Sequence, residues 1–221
     1  MSGDAYGGLR GSYGSPGREE TALVVVDMQN TFCHPDGAFA RLGADVSPLT
    51  GVVPAVADLV AAARAARVPV VVVKHVLRSD YRDGGIIFNE LKRPLRGAGA
   101  IVGGSWEAEL VDELAVEPED VVVEKRRFSA FFGTDLDVVL RSRGIASLVV
   151  CGVTTNICVE STARDAAQRD YRTFVVADAT AEIDPAKHDH ALTTLGYAFC
   201  SVVVAADVLQ AWAAEGAAAS G

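Results

Sequence analysis

The sequence predicts an α/β protein, a mostly parallel sheet covered by helices on both faces. Aliphatic runs such as Leu23-Val-Val-Val26 and Val70-Val-Val-Val73 are unbroken rather than alternating, the pattern of strands buried on both sides. Between such runs the apolar residues recur at helical spacing, so strands and helices alternate, and right-handed crossovers then make neighbouring strands parallel. With 221 residues, 50% of them hydrophobic, the chain can bury one substantial core, and a single domain is expected over residues 21–221.

Residues Met1 to Glu20 are rich in Gly and Ser and poor in large aliphatics, which predicts a flexible leader. Thr21 to Val26 is the first strand, with Asp27 at its end. After a loop holding Pro35, Asp36 and Gly37, Gly51 to Arg67 reads as a helix whose Pro54 falls in the first turn. Pro69 to Val73 is the second strand. A polar connection from Lys74 to Gly104 follows, and a loop of that length points to function. Trp106 to Leu114 predicts a helix with Trp106, Leu110 and Leu114 on one face, and Asp120 to Glu124 the third strand, closed by Lys125. Leu136 to Arg143 is a helix with Gly144 as its C-terminal cap. The fourth strand, through Leu148-Val-Val-Cys-Gly-Val153, passes by a short polar turn into a helix from Cys158 to Arg169. Tyr171 to Ala177 is the fifth strand and Pro185 to Leu195 a helix stopped by Gly196. Ala198 to Ala205 is the sixth strand, and a helix from Asp207 to Ala214, anchored by Trp212, closes the chain.

The formal net charge is -9 with Lys and Arg scattered, so neither a nucleic-acid groove nor a membrane-surface patch is expected, and the partner should be a small molecule. No run approaches the length of a membrane span and the N-terminus lacks the apolar core of a secretory signal, which predicts a cytoplasmic protein. Four widely spaced cysteines, Cys33, Cys151, Cys158 and Cys200, fit reduced thiols better than disulfides.

Ligands of open parallel sheets bind beyond the carboxyl ends of the strands, near the point where strand order reverses. Three strands here end in chemically capable groups: Asp27 after the first, Lys125 after the third, and Cys158 just beyond the fourth. Singly, Asp27 could cap a turn, Lys125 could be a solvated charge and Cys158 a small buried hydrophobe. Jointly they make a nucleophile with its activators. A cysteine at a helix start faces unpaired backbone N–H groups, which favour its thiolate and can also hold a developing oxyanion. Beyond the second strand, His75, Arg78, Tyr81 and Arg82 form a cationic and aromatic cluster. There Arg78 or Arg82 could clamp a substrate carboxylate; otherwise Phe128, Phe131 and Phe132 would select the substrate, with Gln29 and Asn30 orienting it. No metal or other cofactor is expected, because His188-Asp-His190 at a helix start has no third ligand and His34 beside Cys33 is weaker still.

The strings VVVDMQNTF around Asp27, EKRRFSAFFGTDLDVVLRSRGI from Glu124, and CGVTTNICVESTARDA around Cys158 resemble the isochorismatase-like cysteine hydrolases, the group that includes nicotinamidases and N-carbamoylsarcosine amidase. The resemblance runs from about Thr21 to the last strand. It implies a three-layer αβα fold with a six-stranded parallel sheet of order 3-2-1-4-5-6, and an Asp27, Lys125, Cys158 triad. It also implies a cis peptide between Val153 and Thr154 that turns the Thr154 N–H toward an oxyanion alongside that of Cys158. Within the group, FSAFFGTDLD, LRSRGI and TNICVESTARD look most like the ureidoacrylate amidohydrolases and more distantly like biuret hydrolases. The resemblance thus implies a hydrolase of a C–N bond in a small amide, ureido or carbamoyl compound, acting through a thioester and assembling as a homodimer or homotetramer. Hydrolysis of biuret, of carbamoyl-amino acids or of cyclic amides is the alternative, and a catalytically silent binding protein on the same fold is the alternative in kind. Retention of all three polar groups speaks against silence.

Overall fold

The structure, a computed structural model, describes residues 11–218. In chain order it begins with β1 (Thr21–Val26), α1 (Asn30–Cys33), α2 (Ala38–Arg41), α3 (Ser47–Gly51), α4 (Val53–Ala65), β2 (Val70–His75), α5 (Arg93–Gly97) and β3 (Val121–Lys125). It continues with α6 (Leu136–Ser142), β4 (Ser147–Val153), α7 (Glu160–Ala167), β5 (Arg172–Ala181), α8 (Pro185–Ala198), β6 (Ser201–Val203) and α9 (Ala205–Ala218). The six strands form one parallel sheet of order β3-β2-β1-β4-β5-β6, as the resemblance implies.

Each central strand sends alternate residues to opposite faces, so one valine run serves two cores. Leu23, Val25, Val70 and Val72 pack with Val56, Leu59 and Val60 of α4 and with Val208 and Trp212 of α9. Ala22, Val24, Val71 and Val73 pack on the other face with Leu136 and Leu140 of α6, Ala163 and Ala166 of α7 and Leu195 of α8. The caps follow local chemistry. Asp184 accepts a hydrogen bond from the Ala186 N–H (3.0 Å) and Pro185 opens α8. Gly144, at φ +69°, sits past the end of α6, where its N–H and that of Ile145 satisfy the carbonyls of Arg141 and Leu140.

Several expected elements differ. The Trp106 to Leu114 segment is two single 3₁₀ turns, Trp106–Ala108 and Asp112–Leu114, because Val111 N–H bonds back to Met28 O and Glu109 O accepts from Asn30 N–H, tying the segment to the end of β1 instead of to itself. The connection after β2 is largely helical, with a 3₁₀ turn at Arg82–Gly84, a π turn at Ile87–Leu91 and α5. Gly196 does not stop α8, which runs to Ala198, and β6 is correspondingly only three residues long. The stretch Ser47–Ala65 is, against the expectation above, long and apolar enough by composition to cross a membrane. It is two core helices, with Leu49 of α3 and Val53, Val56, Leu59, Val60 and Ala63 of α4 buried. Of the expected leader, residues 1–10 lie outside the described residues, while Tyr13 bonds Ser201 Oγ through its N–H (2.9 Å) and meets Phe174 edge-on at 6.0 Å.

Strand order reverses between β1 and β4, whose chains leave to opposite sides, and this opens a crevice at their carboxyl ends. There Gly152 takes φ +108°, and a Cβ on it would collide with the carbonyl of Val26 on the paired strand. Only glycine satisfies both demands. Gly152→Ala should therefore destabilise the fold by about 3 kcal/mol through strain and overpacking, read as a lowered urea midpoint with an unchanged slope.

Candidate active site

Three strand ends converge at this crevice. Asp27, also at positive φ (+54°), turns off the end of β1 with its N–H bonded to Val73 O. Lys125 ends β3, two strands and so about 9.5 Å away across the sheet, a span that only a long side chain bridges. Its Nζ lies 2.7 Å from Asp27 Oδ2, 3.3 Å from Cys158 Sγ and 3.2 Å from the carbonyl of Arg127. Lys125 and Asp27 are 0% and 1% exposed at their side chains, so this ammonium and carboxylate have been taken out of water together. Beyond β4 the Val153-Thr154 peptide is cis, as the resemblance implies.

Cys158 does not open a regular α-helix. It sits in a π turn, Thr155–Val159, that precedes α7, and the turn is anchored by a contact of 2.8 Å between Thr155 Oγ1 and His188 Nδ1 of α8. Its environment also differs from the expected one. Burial pushes the thiol up from its usual value, an effect that the Lys125 ammonium opposes without cancelling. Burial thus works against a standing thiolate, and the Lys125 ammonium works for it. Burial likewise raises Asp27 above the usual carboxylate range, with Lys125 pulling it down. For Lys125 burial acts downward, but the facing Asp27 and Cys158 prevail and hold the ammonium above its usual value.

Asp27, Cys158 and Thr154 open onto a cavity of about 60 Å³ walled by Phe32, Phe39, Phe88, Leu95, Ile101, Phe128 and Ile157. A volume of that size, at 10–15 Å³ per water, admits roughly five waters and so suits a small molecule. Of the residues nominated from sequence, His75 and Phe128 line it. Phe128 is held there because Ser129 Oγ donates to Asp165 Oδ2 (2.5 Å) and Ala130 N–H to Thr162 Oγ1 (3.0 Å) on α7. The others do not reach it. Gln29 is consumed in the scaffold, its Nε2 donating to His75 O and Ala108 O and its Oε1 accepting from His75 N–H. Asn30 donates to Trp106 O. Arg78 and Arg82 lie outside the lining, 65% and 86% exposed and both paired with Asp80, so the expected clamp is not formed by either. Tyr81 is buried with its hydroxyl on Ala100 O, Phe131 packs against Tyr171, and Phe132 is exposed.

The cation that does reach the cavity is Lys92, at the end of the π turn after β2, and its ammonium has no hydrogen-bond or ion-pair partner among the described residues. Sequence reasoning missed it together with Phe88 and Leu95. The signal was present: the three stand at i, i+4 and i+7, one helix face inside a segment read as loop. An oxygen of Asp27, a ring nitrogen of His75 and the Cys158 sulfur also lie within 4.8 Å of one another. As a metal site this set does not fit, since the Lys125 ammonium already occupies the positive position against both the carboxylate and the sulfur.

The Isochorismatase domain model matches residues 21–207. The chain belongs to the isochorismatase family. It is an enzyme, an amidohydrolase of C–N bonds. A curated relative, the ureidoacrylate amidohydrolase RutB of Azorhizobium caulinodans, is 40% identical over 178 residues, covering 76% of this chain and 78% of the relative. Among solved structures, a cysteine hydrolase from Pseudomonas syringae pv. phaseolicola superposes with a TM-score of 0.83 at 33% identity, over 90% of this chain and 95% of that one. The N-carbamoylsarcosine amidase of Thermoplasma acidophilum gives a TM-score of 0.68 at 33% identity, over 84% and 96%.

The ion pair at the base of this family member's site has a consequence for stability. Lys125→Met would leave Asp27 buried without its counter-charge, costing about 3–5 kcal/mol at neutral pH. Because a protonated carboxyl needs no counter-charge, the deficit should shrink as pH falls and Asp27 takes up a proton. Urea titrations at pH 7.5 and pH 5 should show the gap between variant and parent narrowing at the lower pH.

Proposed function

We propose that the chain hydrolyses a small carboxylated ureido or carbamoyl compound, of the ureidoacrylate type, through a thioester on Cys158. The observation that carries this reading is the contact of Lys125 Nζ with both Asp27 Oδ2 and Cys158 Sγ at the floor of an apolar cavity. Asp27 takes the thiol proton as the sulfur attacks the carbonyl carbon, so thiolate is formed only when it is used. A base whose pKa burial has raised is better matched to that transfer than an ordinary aspartate. Negative charge passes to the carbonyl oxygen, which the backbone N–H groups of Thr154 and Cys158 stabilise, each such donor contributing on the order of 3 kcal/mol in comparable sites. The tetrahedral adduct expels the amine, which leaves with the proton held by Asp27. Water, deprotonated by Asp27, then opens the thioester and the proton returns to sulfur. Throughout, Lys125 keeps its charge and compensates whichever of its two neighbours is anionic.

The ureidoacrylate preference is supported by the curated relative and by Lys92, a cation at the cavity wall with no carboxylate of its own. Two outcomes test the reading. Purified protein given N-carbamoyl-β-alanine or ureidoacrylate should release ammonia, and acid quenching during turnover should trap an acyl adduct on the peptide that contains Cys158. Cys158→Ala should show neither, and turnover by that variant at more than a small fraction of the parent rate would refute the nucleophile. Lys92→Met should raise KM for these acids about tenfold or more, the worth of one charge-assisted hydrogen bond, while leaving KM for an uncharged amide unchanged.

A further inference from the structure

His75 ends β2, in register with Lys125 on β3, and is only 2% exposed. Its backbone is clamped on both sides by the Gln29 amide, and its ring meets Phe88 and Phe128 edge-on, with centroids 5.3 Å and 6.4 Å away. The imidazole therefore has little freedom to seek a partner. Yet its Nε2 is buried with no hydrogen-bond partner, in a ring that lines the cavity. Leaving such an atom unpaired is destabilising, and a ligand that pairs with it removes the penalty.

The chemistry of that ligand follows from the surroundings. Burial first, and then the charges of Lys125, Arg127 and Arg126, hold His75 well below its usual pKa, so the ring is neutral. The Arg126 backbone acts on the ring in the sense that favours a ring N–H, and we place that N–H on Nδ1 because Nε2 is the nitrogen left without a partner. Nε2 then presents a lone pair. A ring nitrogen of His75 lies within 4.8 Å of the Cys158 sulfur. A carbonyl carbon poised for attack sits about 3–3.5 Å from that sulfur, and a nitrogen bonded to that carbon can then lie about 2.9 Å from the ring, a normal hydrogen bond.

We infer that His75 Nε2 accepts a hydrogen bond from an N–H borne on the carbon that Cys158 attacks, which makes the site selective for carbamoyl and ureido groups over esters and carbonates of the same shape. The inference rests on Cys158 being the nucleophile. An oxygen in place of that nitrogen would set its own lone pairs against Nε2 and leave the buried acceptor unpaired, the arrangement by which sites reject near-isosteres most strongly.

The test pairs N-carbamoyl-β-alanine with the methyl carbonate of 3-hydroxypropionate, in which oxygens replace both nitrogens. His75→Phe keeps an aromatic ring but loses the acceptor. It should lower kcat/KM on the ureido acid by about thirtyfold, the effect of one lost buried hydrogen bond, and leave the carbonate within about threefold. His75→Asn, whose Oδ1 can accept, should recover much of the loss. Equal falls on both substrates, or no fall on either, would overturn the inference. A measurement on the parent protein stands independently of how the variants fold: as competitors of carbonate turnover, acetamide should bind at least about tenfold tighter than methyl acetate, and equal inhibition constants would count against His75. A methoxycarbonyl adduct on Cys158 in the parent keeps the two readings apart, since its presence upholds the nucleophile whatever His75 does, and its absence removes the nucleophile first.

Discussion

A fully buried ammonium dictates most of what surrounds it. Removing a lysine charge from water costs several kcal/mol unless opposite charge and hydrogen-bond acceptors replace the hydration. Lys125 finds Asp27, Cys158 and the Arg127 carbonyl, which satisfies its three donors. This solution demands a particular sheet. β3 must lie two strands from β1 so that an extended lysine stem spans the gap, and β4 must sit on the far side of β1 so that its turn delivers the sulfur. The strand order and the charge cluster are thus one constraint seen at two scales.

The same burial gives the site its resting state. With the thiol pushed up and the carboxyl raised, neither group carries the reactivity that an exposed helix-start cysteine would have. In the mechanism we propose, reactivity waits for a substrate that fills the cavity and supplies an electrophilic carbon, at which point the proton has somewhere to go. A buried cysteine kept as a thiol is also less open to oxidation than a standing thiolate. The expected helix-start position is replaced by a π turn in which Cys158 is 7% exposed, so burial enters the balance that the sequence alone leaves to the helix dipole.

The strands and the three strand-end groups were legible in the sequence because they rest on period, while the strand order came from the family resemblance alone. Unbroken valine runs leave few alternatives, and Asp27, Lys125 and Cys158 each mark where such a run stops. The cavity wall was not legible. Phe32 and Phe39 stand on four-residue helices too short to show a period, and Phe88 and Leu95 stand in an insert whose charges disguised its helical spacing. Arg78 and Arg82 misled because a cation after a strand end reads as facing a ligand, while the adjacent Asp80, which pairs with both, reads as one more loop charge.

The contrast among those cations carries the specificity argument one step further. Arg78 and Arg82 are satisfied by Asp80, Lys74 by Glu109 and Arg126 by Asp83 and Glu124, so their positive charge is already spent. Lys92 and Nε2 of His75, both in the cavity lining, are polar groups left without partners among the described residues. One calls for an anion, the other for an N–H, and the sulfur lies close to the second. A molecule answering both must carry its carboxylate some bonds away from a nitrogen-substituted carbonyl, which is the connectivity of a ureido acid. Apolar walls strengthen such interactions by excluding water, so in the function we propose the unpaired groups, rather than the paired cations, select the substrate.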